Sequence, residues 1–239
     1  MTRWGPNTSS AVMQQRVEPH DSLDFFPTPP WATRALCERL TVLSPLHLQS
    51  VWEPACGEGD MARPLGEFFD QVYATDVHDY SAAFPAQDSV CNFLCEWDHP
   101  SDFQDDEQWP DWVVTNPPFR LGKEFIRMAL TRARVGVAVF VRTAFLEGKE
   151  RFRSLFSSTP PALVLQFVER VSLVKGRLDE HASRPTSYCW IVWLVEGAVV
   201  TAFDWIAPCR PRLEKPEDYP APPSEPTPAP LLDGLVPPS

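Results

Sequence analysis

Apolar residues along this chain fall into two alternating patterns, and the alternation predicts the architecture. Short runs rich in β-branched and aromatic residues stand at 50–53, 71–76, 112–115, 136–142, 162–168 and 187–195, with a weaker one near 90–93. Each has the length of a strand. Helical spacing predicts a helix over 31–40, entered through Thr28 as N-cap with Pro29 and Pro30 behind it. A second is predicted over 121–134, where Leu121, Phe125, Met128 and Ala129 share one face. Strands alternating with helices imply an α/β fold: a mostly parallel sheet with helices on both faces. No helical pattern separates the last two runs, so the sheet is expected to end antiparallel. No internal repeat is visible.

Composition bounds the size of this domain. With 44% hydrophobic and 22% charged residues in 239, the chain can bury one core with flanking segments to spare. Residues 1–20 are polar and aperiodic and read as a loose leader. Residues 208–239 hold 11 prolines, which remove backbone donors and fix φ, so they read as a disordered, extended tail or, alternatively, a docking peptide. The domain is expected over 21–207. No apolar run approaches the roughly 18 residues that span a bilayer, and the start lacks a signal-peptide stretch. A cytoplasmic protein with no membrane association is the expectation. Cys37, Cys56, Cys91, Cys95, Cys189 and Cys209 include no CxxC pair, so reduced thiols and no metal are expected.

Charge changes the picture only once it is divided along the chain. The net charge of −11 argues against a polyanionic partner. Residues 64–119, however, carry twelve acidic groups and no Lys or Arg, whereas 120–184 carry thirteen basic and six acidic ones. That basic block reads either as a phosphate-binding surface or as solvated helix charge.

Three runs carry candidate chemistry. Val51-Trp52-Glu53-Pro54-Ala55-Cys56-Gly57-Glu58-Gly59-Asp60 ends a strand in a carboxylate and turns through two glycines into a helix. In open α/β sheets a ligand sits beyond such a strand end, and glycine lets backbone approach it. The spacing is neither GxGxxG nor a phosphate loop, which favours a ligand without phosphate over a turn that only reverses the chain. Asp76 ends the next strand about twenty residues on, where a carboxylate can accept both hydroxyls of a ribose, or cap a turn. In the third run, a buried strand ends in Asn116-Pro117-Pro118-Phe119. The Asn116 amide oxygen and a loop carbonyl can accept both hydrogens of one exocyclic NH₂, orienting its lone pair for attack. Phe119 offers a flat face for a planar ring.

With these runs in order, the chain resembles the S-adenosylmethionine-dependent amino-methyltransferases, and most closely the adenine-N6 DNA methyltransferases of phage and prophage type. Asp24-Phe25-Phe26-Pro27-Thr28-Pro29-Pro30 looks like the family's N-terminal cofactor motif, with Phe26 and Thr28 near the methionine moiety. Glu53, Pro54, Ala55, Cys56, Gly57 and Gly59 look like its first core motif, and Asp76, with Val77 beside it, like its ribose site. Asn92-Phe93-Leu94 looks like the family's Asp-Phe-Leu at the cofactor adenine, with Asn in place of Asp and Asp88 as a rival. Asn116, Pro117, Pro118 and Phe119 look like its catalytic motif, and 141–147 and 185–190 also fit the phage-type group.

The resemblance implies a Rossmann-like class I methyltransferase: a seven-stranded, mostly parallel sheet with its last strand antiparallel, S-adenosyl-L-methionine as cofactor, and no metal. It implies direct transfer to the N6 amine of an adenine flipped out of DNA. Lys123, Arg142, Lys149, Arg151 and Arg153 would then hold phosphates. Little chain is left for reading a target sequence, so a partner chain or the tail would supply specificity. Other readings stay open: a base amine in RNA, a glutamine amide in a protein, or an inactive prophage relic.

Overall fold

A computed structural model describes residues 24–43, 49–103, 108–182, 185–196 and 200–219. The leader expected at 1–20, and residues 220–239 of the expected tail, lie outside the described residues. Eight strands form one sheet: β1 (Ser50–Glu53), β2 (Gln71–Asp76), β3 (Ser89–Val90), β4 (Trp112–Thr115), β5 (Gly136–Arg142), β6 (Leu163–Phe167), β7 (Tyr188–Leu194) and β8 (Ala202–Ile206). Their order across the sheet is β3-β2-β1-β4-β5-β7-β6-β8. Strands β1 to β5 pair in parallel, while β7 runs antiparallel to both β5 and β6.

Period-two alternation sends successive side chains of the central strands to opposite faces, and both faces are buried. Val51, Trp112, Val114, Ala138 and Phe140 join one core cluster with Trp31, Leu36 and Leu40 of α1 (Pro30–Leu43). Trp52, Val113, Val137, Val139 and Ile191 join the other, with Ile126 and Ala129 of α3 (Gly122–Thr131). Between these helices in the chain lies α2 (Ala62–Leu65). A one-turn α4 (Lys149–Arg151) continues as a π-helical turn at Phe152–Phe156, and α5 (Arg210–Leu213) is followed by a 3-10 turn at Pro216–Asp218. The indole of Trp190 on β7 donates to the Ala32 carbonyl 3.0 Å away, tying the sheet to α1.

The α/β class and the antiparallel pairing near the end of the sheet agree with the sequence pattern. Three details differ. First, the sheet has an eighth strand, β8, parallel to β6, so the antiparallel strand is the seventh and not the last. Second, α1 begins at Pro30, which puts Pro29 and not Thr28 at the cap position. Third, the tail does not start at Pro208. Buried Arg34 of α1 donates to the Leu213 carbonyl at 2.7 Å and to both Asp218 oxygens at 2.7 and 2.8 Å. A buried guanidinium must be paired, and those partners fold 209–219 onto α1 despite the prolines.

Candidate active site

The direction of chain travel reverses between β1 and β4: β2 and β3 build outward on one side of β1, and β4 lies on its other side. The crevice beyond the carboxyl ends of strands at such a point is where α/β sheets hold ligands. Here it is a cavity of about 190 Å³. Glu53, Asp76 and Asn116, at or just past the ends of β1, β2 and β4, all line it. Phe26, Thr28, Pro54, Ala55, Cys56, Val77, Asn92, Phe93 and Pro118 line it too. The topology therefore brings together runs that the sequence separates by up to ninety residues.

The turn after β1 needs both its glycines. Gly57 has φ +50° and Gly59 φ +82°, in the left-handed region that side chains avoid. A Cβ on Gly57 would lie 2.4 Å from the Phe25 ring, and one on Gly59 2.5 Å from Phe84. This close packing aims the Gly57 N–H at Asp76, whose Oδ2 accepts it at 3.0 Å; Oδ1 accepts the His78 N–H at 3.0 Å. Burial raises the Asp76 pKa, and those two donors oppose the rise. Glu53 is 1% exposed and its Oε2 has no hydrogen-bond partner. Burial first, then the like charges of Asp76 and Asp60, hold its carboxyl well above the usual range. A buried acceptor of this kind is costly unless a donor arrives to meet it.

At the end of β4, the Asn116 amide nitrogen donates to the Phe26 carbonyl at 2.8 Å and to Thr28 Oγ1 at 3.0 Å. A carbonyl can only accept, so the amide orientation is fixed by chemistry. The oxygen is left to accept from a ligand. The segment supplying these acceptors, residues 24–29, is itself pinned to the site. Asp24 Oδ2 accepts the Phe119 N–H at 2.7 Å, and the Phe25 carbonyl accepts the Gly176 N–H at 2.9 Å.

Phe119 packs against Phe26 with ring centroids 5.0 Å apart, and the Arg142 guanidinium lies 4.2 Å from its centroid. The flat face expected there is thus covered by a cation. Of the other expected phosphate contacts, Lys123 pairs with Glu150 at 3.5 Å, and Arg151 donates to the Phe145 carbonyl at 2.7 Å and also to that of Glu147. Both cations are therefore engaged by acceptors of the chain itself. Lys149 and Arg153 are exposed. Near the expected adenine site, Asn92 lines the cavity while its Oδ1 accepts the Leu94 N–H at 3.1 Å. Asp88 Oδ2 accepts the Ala74 N–H at 2.6 Å, which engages it with β2.

Sequence reasoning missed Asp60 and Tyr80, which also line the cavity. Burial pushes Asp60 up to about 6 and Tyr80 up to about 12. Asp60 had a visible signal, a carboxylate directly after the second glycine of the turn. Tyr80 lies in an irregular loop and had none. Among the described residues no group of His, Cys, Asp or Glu could hold a metal ion, and no helix is long and apolar enough to cross a membrane.

No protein-family model matches the sequence, and no curated protein does. Solved structures do resemble the fold. A candidate RNA methyltransferase from Pyrococcus horikoshii superposes with TM-score 0.53 at 15% identity, over 76% of this chain and 93% of that one. A type I restriction-modification methyltransferase subunit from Streptococcus thermophilus gives 0.52 at 11% identity, over 70% and 44%. The modification subunit of a candidate type I restriction enzyme from Vibrio vulnificus gives 0.49 at 15%, over 75% and 47%. The chain spans about half the length of those two subunits. The fold is the Rossmann-like fold of methyltransferases: a mostly parallel sheet with one strand reversed and ligand-facing loops at the carboxyl ends.

Proposed function

We propose that this protein transfers a methyl group from S-adenosyl-L-methionine to the exocyclic N6 amine of adenine in DNA. The observation that carries the reading is Asn116, whose amide hydrogens are both engaged by Phe26 and Thr28 so that its oxygen is presented to an incoming NH₂. An acceptor oriented this way suits a planar amine. The cofactor supplies an electrophilic methyl. The cavity residues fit such a group: Glu53 offers an unpartnered buried acceptor, and Asp76 lies where ribose hydroxyls would. Asn92 and Phe93 would border the adenine.

Asn116, with a loop carbonyl, would hold the two amine hydrogens and turn the nitrogen lone pair toward the cofactor's methyl carbon. The bound cofactor would supply that methyl as its S–C bond gives way to the new N–C bond, and the amine would lose one proton to water. Phe119 would stack on the flipped base once Arg142 leaves its ring. Lys149 and Arg153, both exposed, and a displaced Arg142 are the cations available for phosphate. The similarity to restriction-modification subunits fits a DNA substrate and a partner chain that reads sequence. The Pyrococcus resemblance keeps a base amine in RNA as the second reading.

The test is to incubate the protein with tritiated S-adenosylmethionine and unmodified duplex DNA, then digest and chromatograph the nucleosides. Label is expected in N6-methyldeoxyadenosine. Label only when RNA or protein replaces DNA would overturn the substrate; no binding of the cofactor by calorimetry would overturn the activity.

A further inference from the structure

Arg132 is a cation in an unusual place. It takes the cap position at the C-terminus of α3, yet only 2% of it is exposed, and its guanidinium donates to backbone carbonyls. Burial accordingly lowers its pKa below the ordinary arginine value. What holds the charge is the loop after β3. Its Nη1 donates to the Phe93 carbonyl at 2.9 Å, and its Nη2 to the Cys95 and Glu96 carbonyls at 2.8 and 2.9 Å. The guanidinium also lies 5.3–5.6 Å from the ring centroids of Trp52, Phe93 and Trp109. Carbonyl dipoles and aromatic faces replace the water that a buried cation loses.

This loop has a second fastening. Asp98 Oδ2 accepts the Asn92 N–H at 2.8 Å, and the Cys91 thiol contacts the Asp98 carbonyl at 3.1 Å. Cys91, Asn92, Phe93 and Leu94 all line the cavity. Arg132 thus holds the back of the loop whose front faces the ligand. From these contacts we infer that Arg132 is a positioning residue that sets the edge of the site reading the adenine of the cofactor. This rests on the methyltransferase reading above. Arg132 touches no ligand; it fixes Phe93 and, through the loop, the Asn92 and Leu94 backbone. The guanidinium reaches the three carbonyls from two nitrogens held in one rigid plane, whereas a lysine ammonium presents its three donors from a single atom and cannot reproduce that spread.

The experiment compares two ligands on one protein by calorimetry: S-adenosylhomocysteine and its deaminated analogue S-inosylhomocysteine, which lacks the N6 amine. The wild type is expected to prefer the adenine ligand. In Arg132→Lys the preference should shrink about tenfold, equivalent to one charge-assisted hydrogen bond, while thermal unfolding stays cooperative. A ratio of two affinities from one sample does not depend on the folded fraction. An unchanged ratio in folded Arg132→Lys would overturn the assignment. Should that variant not fold, Asp98→Ala decides by the same ratio, since it loosens the loop from the other side. A wild type that binds neither ligand would instead overturn the function proposed above, and this assignment with it.

Discussion

The Thr28 hydroxyl lies 3.0 Å from the amide nitrogen of Asn116, a contact across 88 residues of sequence. With the Phe26 carbonyl, it makes the segment before α1 part of the catalytic apparatus proposed at the end of β4. Asn116→Ala is expected to abolish methyl transfer while leaving cofactor affinity within about threefold, because the lost contact is to the amine. Thr28→Val removes one of two anchors and should lower kcat about tenfold, the worth of one hydrogen bond. Single-turnover assays with tritiated cofactor, beside calorimetry, separate the two effects.

Gly57 and Asp76 are coupled through one backbone hydrogen bond. Gly57→Ala places a Cβ in the Phe25 ring and strains φ, so the N–H should swing off Asp76. Cofactor affinity is expected to fall at least about tenfold, as in Asp76→Ala, the loss of one hydrogen bond to a charged group. Calorimetry on both variants checks this; a Gly57→Ala protein with full affinity would refute the described role of the turn.

Asp60 gives a pH prediction. Its folded-state pKa is raised by burial from 3.8 to about 6. The folded protein therefore holds that proton more tightly than the unfolded chain, and stability falls as pH rises from about 4 to about 6. Asp60→Asn cannot ionise. It should be more stable than wild type at pH 7 by about 2–3 kcal/mol, with the difference vanishing below pH 4. Urea unfolding at the two pH values reads this directly.

Arg142 and Arg151 should behave differently although both belong to the basic block. Arg142 is exposed over Phe119, whereas Arg151 donates to two carbonyls of its own segment. Arg142→Ala is expected to raise the KM for DNA and to reduce the slope of log affinity against log salt by about 1. Arg151→Ala should leave that slope unchanged and lower Tm. Salt titrations of binding distinguish them.

Asp218 pairs with buried Arg34. Asp218→Ala leaves that charge with Glu67 and one carbonyl, and should cost about 3 kcal/mol or more. Glu217→Ala, at an exposed neighbour, should cost almost nothing. Denaturant unfolding of the pair tests whether 209–219 is integral to the fold.

Sequence made some of this plain and hid the rest for physical reasons. Strands β1, β4, β5, β6 and β7 announce themselves because both faces are largely buried, which demands apolar runs; half-buried β2 shows instead as a short apolar stretch ending in a carboxylate. Strand β8 does not: Phe203 and Trp205 are exposed, Asp204 interrupts the run and pairs with Arg39, and the prolines follow at once. The fold of 209–219 depends on Arg34, roughly 180 residues away, and no local pattern encodes it. Candidate site residues at strand ends stood out because glycine turns and Asn-Pro-Pro break the pattern in place. Arg132 was not, since in sequence it is one of thirteen cations in a basic block. Its burial is a tertiary fact.

Strand β7 pairs with β5 along all seven residues and also with β6, so it is inserted between two strands made earlier. During synthesis β5 therefore stands as an open edge of strongly apolar sequence until residue 188 and beyond have left the ribosome. β6 and β8 can dock only after that. Strands β1, β2 and β4, which carry the candidate site, can pair while this edge is still bare. The nascent chain thus holds a nearly complete site beside its most aggregation-prone surface, and its yield in cells should depend more on translation speed and chaperone supply than on the stability of the finished fold.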